Sequence, residues 1–536
     1  MENAQIAQTL DAYAALLELA DAGYYTARAY RRAAELIRET RAPVAELVRA
    51  GRSRELRGIG PGIERRLEEL VETGRLAELE ELERDVEPQL VALGRFVGLG
   101  PQRMVALGRE LGVRTGDELR AAAEAGRLRE VKGIGPETER KIVAGLARER
   151  PRRRRALLLN RARRLAEGIA AELSAEIAGE VRRWRDVVHE LALVTTELDA
   201  LERLEASPTV VTLIEREPHR AVGVTVEGIP VEVVVAARER FGTELVRATG
   251  SPEYVASLGE LPDVATEEEL YARLGLPWCP PELREGPLER EPPPLVELRD
   301  IRGDLHCHTT WSDGKATAEE MAVAARDRGY EYLAICDHTP NVRVVPGLDA
   351  DALRRQAEEI SDVNARLAPF RVLRGTECDI RRDGTLDLPD EALAELDWVQ
   401  LSLHAGQRED ADRLTKKVVE AMRHPAVRCL SHPKGRIINH RPPNALMLER
   451  VIEVALAEGV ALETNGLPDR LDLRDEEVRL AVEAGVLPIV CSTDAHSVRG
   501  LDNMQLAVAT ARRGWATAAD VLNTRGLDEV LGLRRH

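Results

Sequence analysis

From about residue 300 to the end, the chain keeps one beat. A short apolar run closes on a residue of metal-ligand type, and a helical stretch follows. The closures are "GDLHCH" (303–308), "YLAICDH" (332–338), "RVLRGTE" (371–377), "WVQLSLH" (398–404), "RCLSH" (428–432), "VALETN" (460–465) and "PIVCSTDAH" (488–496). Most lead into segments rich in Ala, Glu and Arg, and alternating β and α units imply a parallel sheet or a closed barrel. The C-terminal ends of such strands share one face, so polar residues far apart in sequence converge there.

The converging groups are His306, His308, Asp313, His338, Glu377, His404, His432, Asp494 and His496. Strand residues i and i+2 point the same way, so one strand end delivers both His306 and His308, and another delivers Asp494 and His496. Imidazole mixed with carboxylate suits Zn²⁺, Mn²⁺ or Fe²⁺ rather than Mg²⁺ alone. Carboxylates able to bridge, such as Glu377, favour two or three ions close together. Such ions polarise a phosphoryl oxygen and bring the pKa of a bound water to roughly 7, so phosphoester hydrolysis is the expected reaction. Lys434 and Arg436 follow a ligand directly in "SHPKGR" and are candidates to hold the substrate phosphate.

The N-terminal region carries a different signal. "RGIGPGIERRL" (57–67), "VGLGPQRMVAL" (97–107) and "KGIGPETERKI" (132–142) are three copies of one unit, a helix, Gly-[Ile/Leu]-Gly-Pro, and a second helix. The glycine pairs Gly58/Gly60, Gly98/Gly100 and Gly133/Gly135 permit a tight hairpin and close approach of a ligand to backbone. Proline presets the first turn of the following helix, whose free N–H groups suit a phosphodiester oxygen. This is the helix-hairpin-helix pattern of sequence-independent DNA binding. A basic run, "PRRRRALLLNRARRL" (151–165), stands next to the hairpins and suits the same backbone. The net charge of −17 excludes a protein that wraps nucleic acid over its whole surface, so DNA contact must be local.

Strand-like runs, "VHELALVTT", "PTVVTLIER", "AVGVTVEG" and "IPVEVVVAA", fill about 175–250, and a proline-rich stretch (270–298) leads to the last domain. The 536 residues therefore read as several domains: helical DNA-binding modules at 1–86 and 87–165, a small α+β part at 166–285, a linker at 286–299 and the barrel at 300–536. The six cysteines, all from Cys279 onward, show no CxxC pairing and sit in apolar runs. With no leader and no long apolar span, the expectation is a cytoplasmic, monomeric protein without membrane contact.

These motifs carry a resemblance. Residues 300–536 resemble a PHP (polymerase and histidinol phosphatase) domain, a distorted seven-stranded barrel. The nine ligand-type residues match the family's metal-binding pattern position by position. End to end, the chain resembles a bacterial family X DNA polymerase with a C-terminal PHP domain, further matches being "ARAYRRAAELI" (27–37), "RFGTELVRATGS" (240–251), "GLPWCPPELRE" (275–285) and "LDNMQLAVATARRGW" (501–515). The resemblance implies Mn²⁺ or Zn²⁺ as cofactor, DNA as partner, and 3′→5′ exonuclease activity in repair.

It also implies a polymerase site, and there the sequence departs. In "AGEVRRWRDVVHELALV" (178–194), Gly179 and the Arg182–Arg183 pair match the family, but its serine is Glu180, its first metal aspartate is Glu190 and its second is Ala192. The third position falls at Glu232. Mg²⁺ demands near-ideal octahedral geometry, and an incomplete, displaced set binds it poorly. The stretch after "TGS" is also short, so polymerase activity is expected to be lost or weak. The deoxyribose-phosphate lyase of related polymerases needs an N-terminal lysine amine; no lysine precedes Lys132, so that activity is not expected. Three alternatives stand beside the exonuclease: an active gap-filling polymerase with proofreading, a non-catalytic repair scaffold, and a small-molecule phosphatase.

Overall fold

The computed structural model describes residues 3, 6–7, 9–10, 13–14, 17, 24–40, 43–56, 58–79, 99, 101–113, 116–131, 133–146, 156–207, 209–342, 345–485 and 488–533. The chain divides into two compact units, one of residues 1–157, 162–180 and 188–248, the other of residues 158–161, 181–187 and 249–536. Gly98, Gly100 and the basic residues 151–155 lie outside the described residues.

The first unit begins with helices closing on a shared apolar core that includes Ile6, Leu10, Ile37, Leu67 and Leu107. Helix α1 (Pro61–Thr73) has Gly60 extended in front of its first-turn proline and Gly74 left-handed behind it (φ +74°). That order follows from proline presetting a first turn and glycine ending a last one. Ile63, Leu67 and Leu70 recur at helical spacing and are all buried, which seats one face of α1 on the core. Helices α2 (Pro101–Leu111) and α3 (Pro136–Leu146) start at the equivalent prolines of the other two hairpins.

A five-stranded sheet follows: β1 (Glu176–Ala178), β2 (Leu191–Thr195), β3 (Val210–Glu217), β4 (Arg220–Thr225) and β5 (Pro230–Val235). Its order is β1-β2-β5-β4-β3. β2 and β5 are parallel and the other pairs antiparallel. The strand-like runs of this region therefore form one small mixed sheet.

The second unit contains the barrel. Its strands are β6 (Gly303–Cys307), β7 (Tyr332–Ile335), β8 (Arg371–Asp379), β9 (Trp398–Ser402), β10 (Val427–Leu430), β11 (Ala461–Asn465) and β12 (Ile489–Ser492). They lie side by side in sequence order, all parallel. A bridge from Cys307 to Ala495 and a hydrogen bond from His308 N–H to Ala495 O (2.8 Å) bring the two edge strands together, so the sheet is nearly closed. Near-continuous apolar strands are what a parallel sheet covered on both faces requires.

Alternate residues of these strands enter two cores. Leu333, Ile335, Val399 and Leu401 pack outward among helices such as Ala318–Asp327 and Ala350–Leu367. Leu305, Tyr332, Ala334, Leu373, Trp398, Ala461 and Val490 fill the barrel's inside, plugged at one end by Leu522 and Val530. The closed interior is thus a packed core, and only the other end is available for chemistry. β6 breaks the alternation: Leu305 lies in the inner core, Cys307 in the outer one, and the β6–β7 register shifts between Asp304 and Cys307. A bulge of this kind re-aims the side chains beside it. No helix among the described residues is long and apolar enough to cross a membrane.

Candidate metal centre and nucleic-acid interface

At the open end of the barrel the structure brings all nine ligand-type residues together. Three groups have ligand atoms within 4.8 Å of one another: His308, Asp313, His338 and His496; His306, His308 and Asp494; and His338, Glu377 and His404. His308 and His338 each belong to two groups, so the three are contiguous. Glu377 is the hub. Its Oε1 lies 2.8 Å from His432 Nε2 and 3.6 Å from His404 Nε2, and its Oε2 lies 2.9 Å from His338 Nδ1, 3.7 Å from His306 Nε2 and 3.8 Å from His308 Nε2. Asp494 reaches His308 at 3.1 Å, and Asp313 reaches His496 at 3.3 Å. His432 and Asp494 also hold left-handed backbone (φ +24° and +51°), a strained state that concentrates at functional positions.

The donor set fits divalent cations. His308 Nε2 and His306 Nε2 face each other at 3.2 Å, and buried His308 Nδ1 and His432 Nδ1 have no hydrogen-bond partner. An unsatisfied buried polar group costs about 1–3 kcal/mol, and several around one point mark a site built for something else. Three carboxylates, Asp313, Glu377 and Asp494, supply the negative charge that two or three dications would neutralise.

The electrostatics agree. Burial raises the Glu377 carboxyl, but His404, His338 and His306 outweigh it and hold it well below the usual carboxylate range. Burial likewise raises Asp494, and His306 and its neighbours bring it well below normal. His308 is pulled down to about 4 by burial and by the neighbouring His496 and His338, so its ring stays neutral with one nitrogen lone pair free to bind a metal.

Beneath the ligands lies a set of residues that strand-end reasoning missed. Glu463 on β11 is fully buried and accepts hydrogen bonds from His306 Nδ1 (2.7 Å), Gln400 Nε2 (2.8 Å), His432 N–H (2.6 Å) and Ser492 Oγ. By taking the Nδ1 side it turns His306 Nε2 toward the site. Asp379, two residues beyond Glu377 on β8, accepts from His404 N–H (3.0 Å) and lies 3.5 Å from its Nδ1. Asp337 accepts from Thr309 N–H (2.8 Å) and Gln356 Nε2 (2.6 Å), pinning the turn that leads to Asp313. "LETN", "TECD" and "ICDH" each contain the signal, a carboxylate within two residues of a ligand or strand end.

Lys434 and Arg436 have other uses here. Lys434 Nζ donates to Leu446 O (2.7 Å), and Arg436 donates to Arg470 O (2.7 Å), Leu471 O (2.6 Å) and Asp186 (2.8 Å).

In the first unit, Gly58 and Gly133 are left-handed (φ +111° and +91°), as their turns require. Gly60 and Gly135 are not, and a Cβ built on either meets nothing within 4 Å. Neither packing nor a left-handed conformation requires glycine there, so the backbone at both positions is open on that side. Ile59 and Ile134 are buried and anchor the two hairpins. Glu64 and Glu139, each three residues after the proline, bond back to Ser53 and Arg129.

The polymerase-like positions make no such cluster. Among the described residues, the groups able to share a metal ion all belong to the barrel. Ala192 lies directly opposite Glu232 across β2 and β5 and is packed with Ala178, Val194 and Leu245. Glu232 pairs with Arg220, which also pairs with Glu215. Glu180 accepts from the N–H groups of His189 and Glu190.

Family models match three stretches: a helix-hairpin-helix domain over residues 1–76, a SAM-like helix-hairpin-helix tandem over 97–148 and a PHP domain over 304–463. The DNA polymerase/3′-5′ exonuclease PolX of Bacillus subtilis (strain 168) is 34% identical over 569 aligned residues, covering 99% of both chains. A probable phosphatase of Acetivibrio thermocellus is 31% identical over 36% of this chain and 78% of its own. One of Syntrophotalea carbinolica is 27% identical over 42% and 88%.

Proposed function

The chain belongs to the family of bacterial DNA polymerase/3′-5′ exonucleases that includes the B. subtilis protein, and we propose that within it this member works as a metal-dependent 3′→5′ exonuclease on DNA whose polymerase site has been retired. The observation that carries the proposal is the contrast between the two candidate active regions. One holds three contiguous ligand groups around a buried glutamate, and the other holds an alanine and carboxylates already paired.

The nine residues named above would hold two or three ions, for which Mn²⁺ or Zn²⁺ is our reading. Ions there would polarise a phosphodiester and make water a nucleophile near neutral pH. The chain's own residues do the rest. Glu463 fixes His306, Asp379 fixes His404, and Glu377 keeps five imidazoles directed at one volume. The closed apolar interior below the site excludes water from behind. The open glycines of the hairpins offer backbone to a phosphate chain without reading bases, so the proposed substrate is DNA of any sequence. Burial of all six free cysteines suits a reducing cytoplasm.

The test uses 5′-labelled primer–template DNA with Mn²⁺, with and without dNTPs, beside a His306→Ala/His308→Ala double variant. The expected result is laddered shortening that the variant loses, and no extension when dNTPs are present. Extension by the wild type would restore the polymerase reading. Absence of both activities would sink the exonuclease.

A further inference from the structure

We propose that Arg470 is the residue that grips the substrate phosphate at the barrel mouth, an inference that rests on the hydrolase reading above. The Arg470 side chain is mostly buried, its Nε stands 3.8 Å from Asp494 Oδ2, and its buried Nη1 has no hydrogen-bond partner. At that distance the two form an ion pair without a hydrogen bond, and Asp494 is also engaged by His308 (3.1 Å) and Asn465 (3.0 Å). A guanidinium presents N–H donors in a planar fork that matches phosphate, and burying one unpaired is unfavourable. The ion pair with Asp494 leaves Nη1 without an acceptor, and a second anion between the guanidinium and the dications would supply one. A phosphodiester oxygen, touching the metal site on one side and the fork on the other, is such an anion.

The loop is built to hold this arginine still. Arg436 clamps the carbonyls of Arg470 (2.7 Å) and Leu471 (2.6 Å), and Leu471 is held left-handed (φ +44°). Asp472 accepts from the N–H groups of Lys434 (3.1 Å) and Arg436 (3.3 Å), and its carbonyl accepts from Asn465 N–H (2.7 Å). Arg436 therefore serves the phosphate indirectly, by fixing the backbone that carries Arg470. Arg436 is a positioning residue in this scheme.

The experiment compares the full-length wild type with Arg470→Met and Arg470→Lys, each loaded with Mn²⁺. Three quantities are read: metal content, binding of inorganic phosphate by calorimetry, and hydrolysis of the p-nitrophenyl ester of thymidine 5′-monophosphate. Metal content is expected to stay at the wild-type level in both variants. Phosphate affinity and kcat/KM should fall in Arg470→Met on the order of 10- to 100-fold, the size of a charge-assisted pair lost to an anion. Lysine, which keeps the charge but not the fork, should recover only part. Phosphate binding within twofold of wild type would overturn the assignment, as would loss of metal in the variants, which would make Arg470 a support for Asp494. If the wild type cleaves neither the ester nor DNA, the hydrolase reading fails, and the phosphate titration still decides whether Arg470 binds the anion.

Discussion

Glu463→Gln removes one charge and almost no volume, and it isolates what the carboxylate beneath the metal site contributes. Oε1 accepts from His306, Gln400 and Ser492, and Oε2 from His432 N–H and Asn465 (3.2 Å). An amide has one acceptor oxygen, so whichever way it turns, its NH₂ faces donors that had a carboxylate before. Burial raises the Glu463 carboxyl, yet His306 and His432 outweigh it and the group sits below its usual range, so the surroundings favour the charged form. Losing an acceptor for two buried donors, at about 1.5–3 kcal/mol each for charged partners, amounts to about 3–6 kcal/mol of unfolding free energy. With its Nδ1 partner gone, His306 is free to change tautomer, and metal affinity should fall about 10- to 100-fold. Denaturant unfolding in EDTA reads the first quantity and competition titration with Mn²⁺ the second. A variant with stability within about 0.5 kcal/mol of wild type and affinity within twofold would refute the orienting role.

Three further outcomes follow from the same geometry. Gly60→Ala combined with Gly135→Ala should leave unfolding free energy within about 1 kcal/mol, because both residues have ordinary backbone angles and open space; DNA binding measured by fluorescence anisotropy should weaken several-fold, and unchanged binding would remove the hairpins from the interface. Glu267→Gln should cost about 3–5 kcal/mol, since Arg284 is fully buried and Glu267 is its carboxylate partner at 2.6 Å. Burial raises the Glu267 carboxyl, but Arg182 and Arg284 bring it below its usual value. Its stabilisation is therefore complete above the unfolded pKa of about 4.3 and lost as pH falls through the lower folded value; acid unfolding followed by circular dichroism should show the wild type losing this increment while the variant does not. Chelation of a metal-loaded sample should lower its thermal midpoint, because ions that bind only the folded barrel stabilise it by mass action, and an unmoved midpoint would contradict tight binding.

How much of this was legible in the sequence depended on where each residue sits. The nine ligand-type residues could be read because parallel strands deliver their C-terminal ends to one face whatever the details of register. Glu463 was harder. It lies inside β11 rather than at its end, and in "VALETN" the terminal Asn465 draws the eye. The meeting of His306 and His308 was anticipated from strand alternation, but β6 is bulged between Asp304 and Cys307, and no pattern of residue types announces a bulge. Lys434 and Arg436 show the limit most clearly. Adjacency to His432 suggested that they reach the phosphate, but side-chain direction is a tertiary property. Arg436 turns to the carbonyls of residues 470 and 471, distant in sequence, and Lys434 Nζ to the carbonyl of Leu446. The glycine hairpins needed only local reasoning, because proline and left-handed glycine act within a few residues.

The two candidate active regions differ in how their polar groups are satisfied, and that difference is why the departures in the small sheet argue for a retired polymerase site. In the small sheet, Glu232 has Arg220, Glu180 has two backbone N–H groups, and Ala192 is packed among small apolar side chains. At these three positions the fold satisfies each group by itself, as selection for stability alone would arrange. In the barrel the opposite holds. Ring nitrogens face one another, Arg470 buries an unpaired donor, and His432 and Asp494 adopt strained backbone. Local rules broken together, with no internal compensation, mark the place where a ligand completes the structure. A scaffold whose metals were only structural would need one closed four-ligand site; nine converging ligand-type residues and an arginine beside them with a buried, unbonded Nη1 are what a site requires when it must also hold an anion and release it.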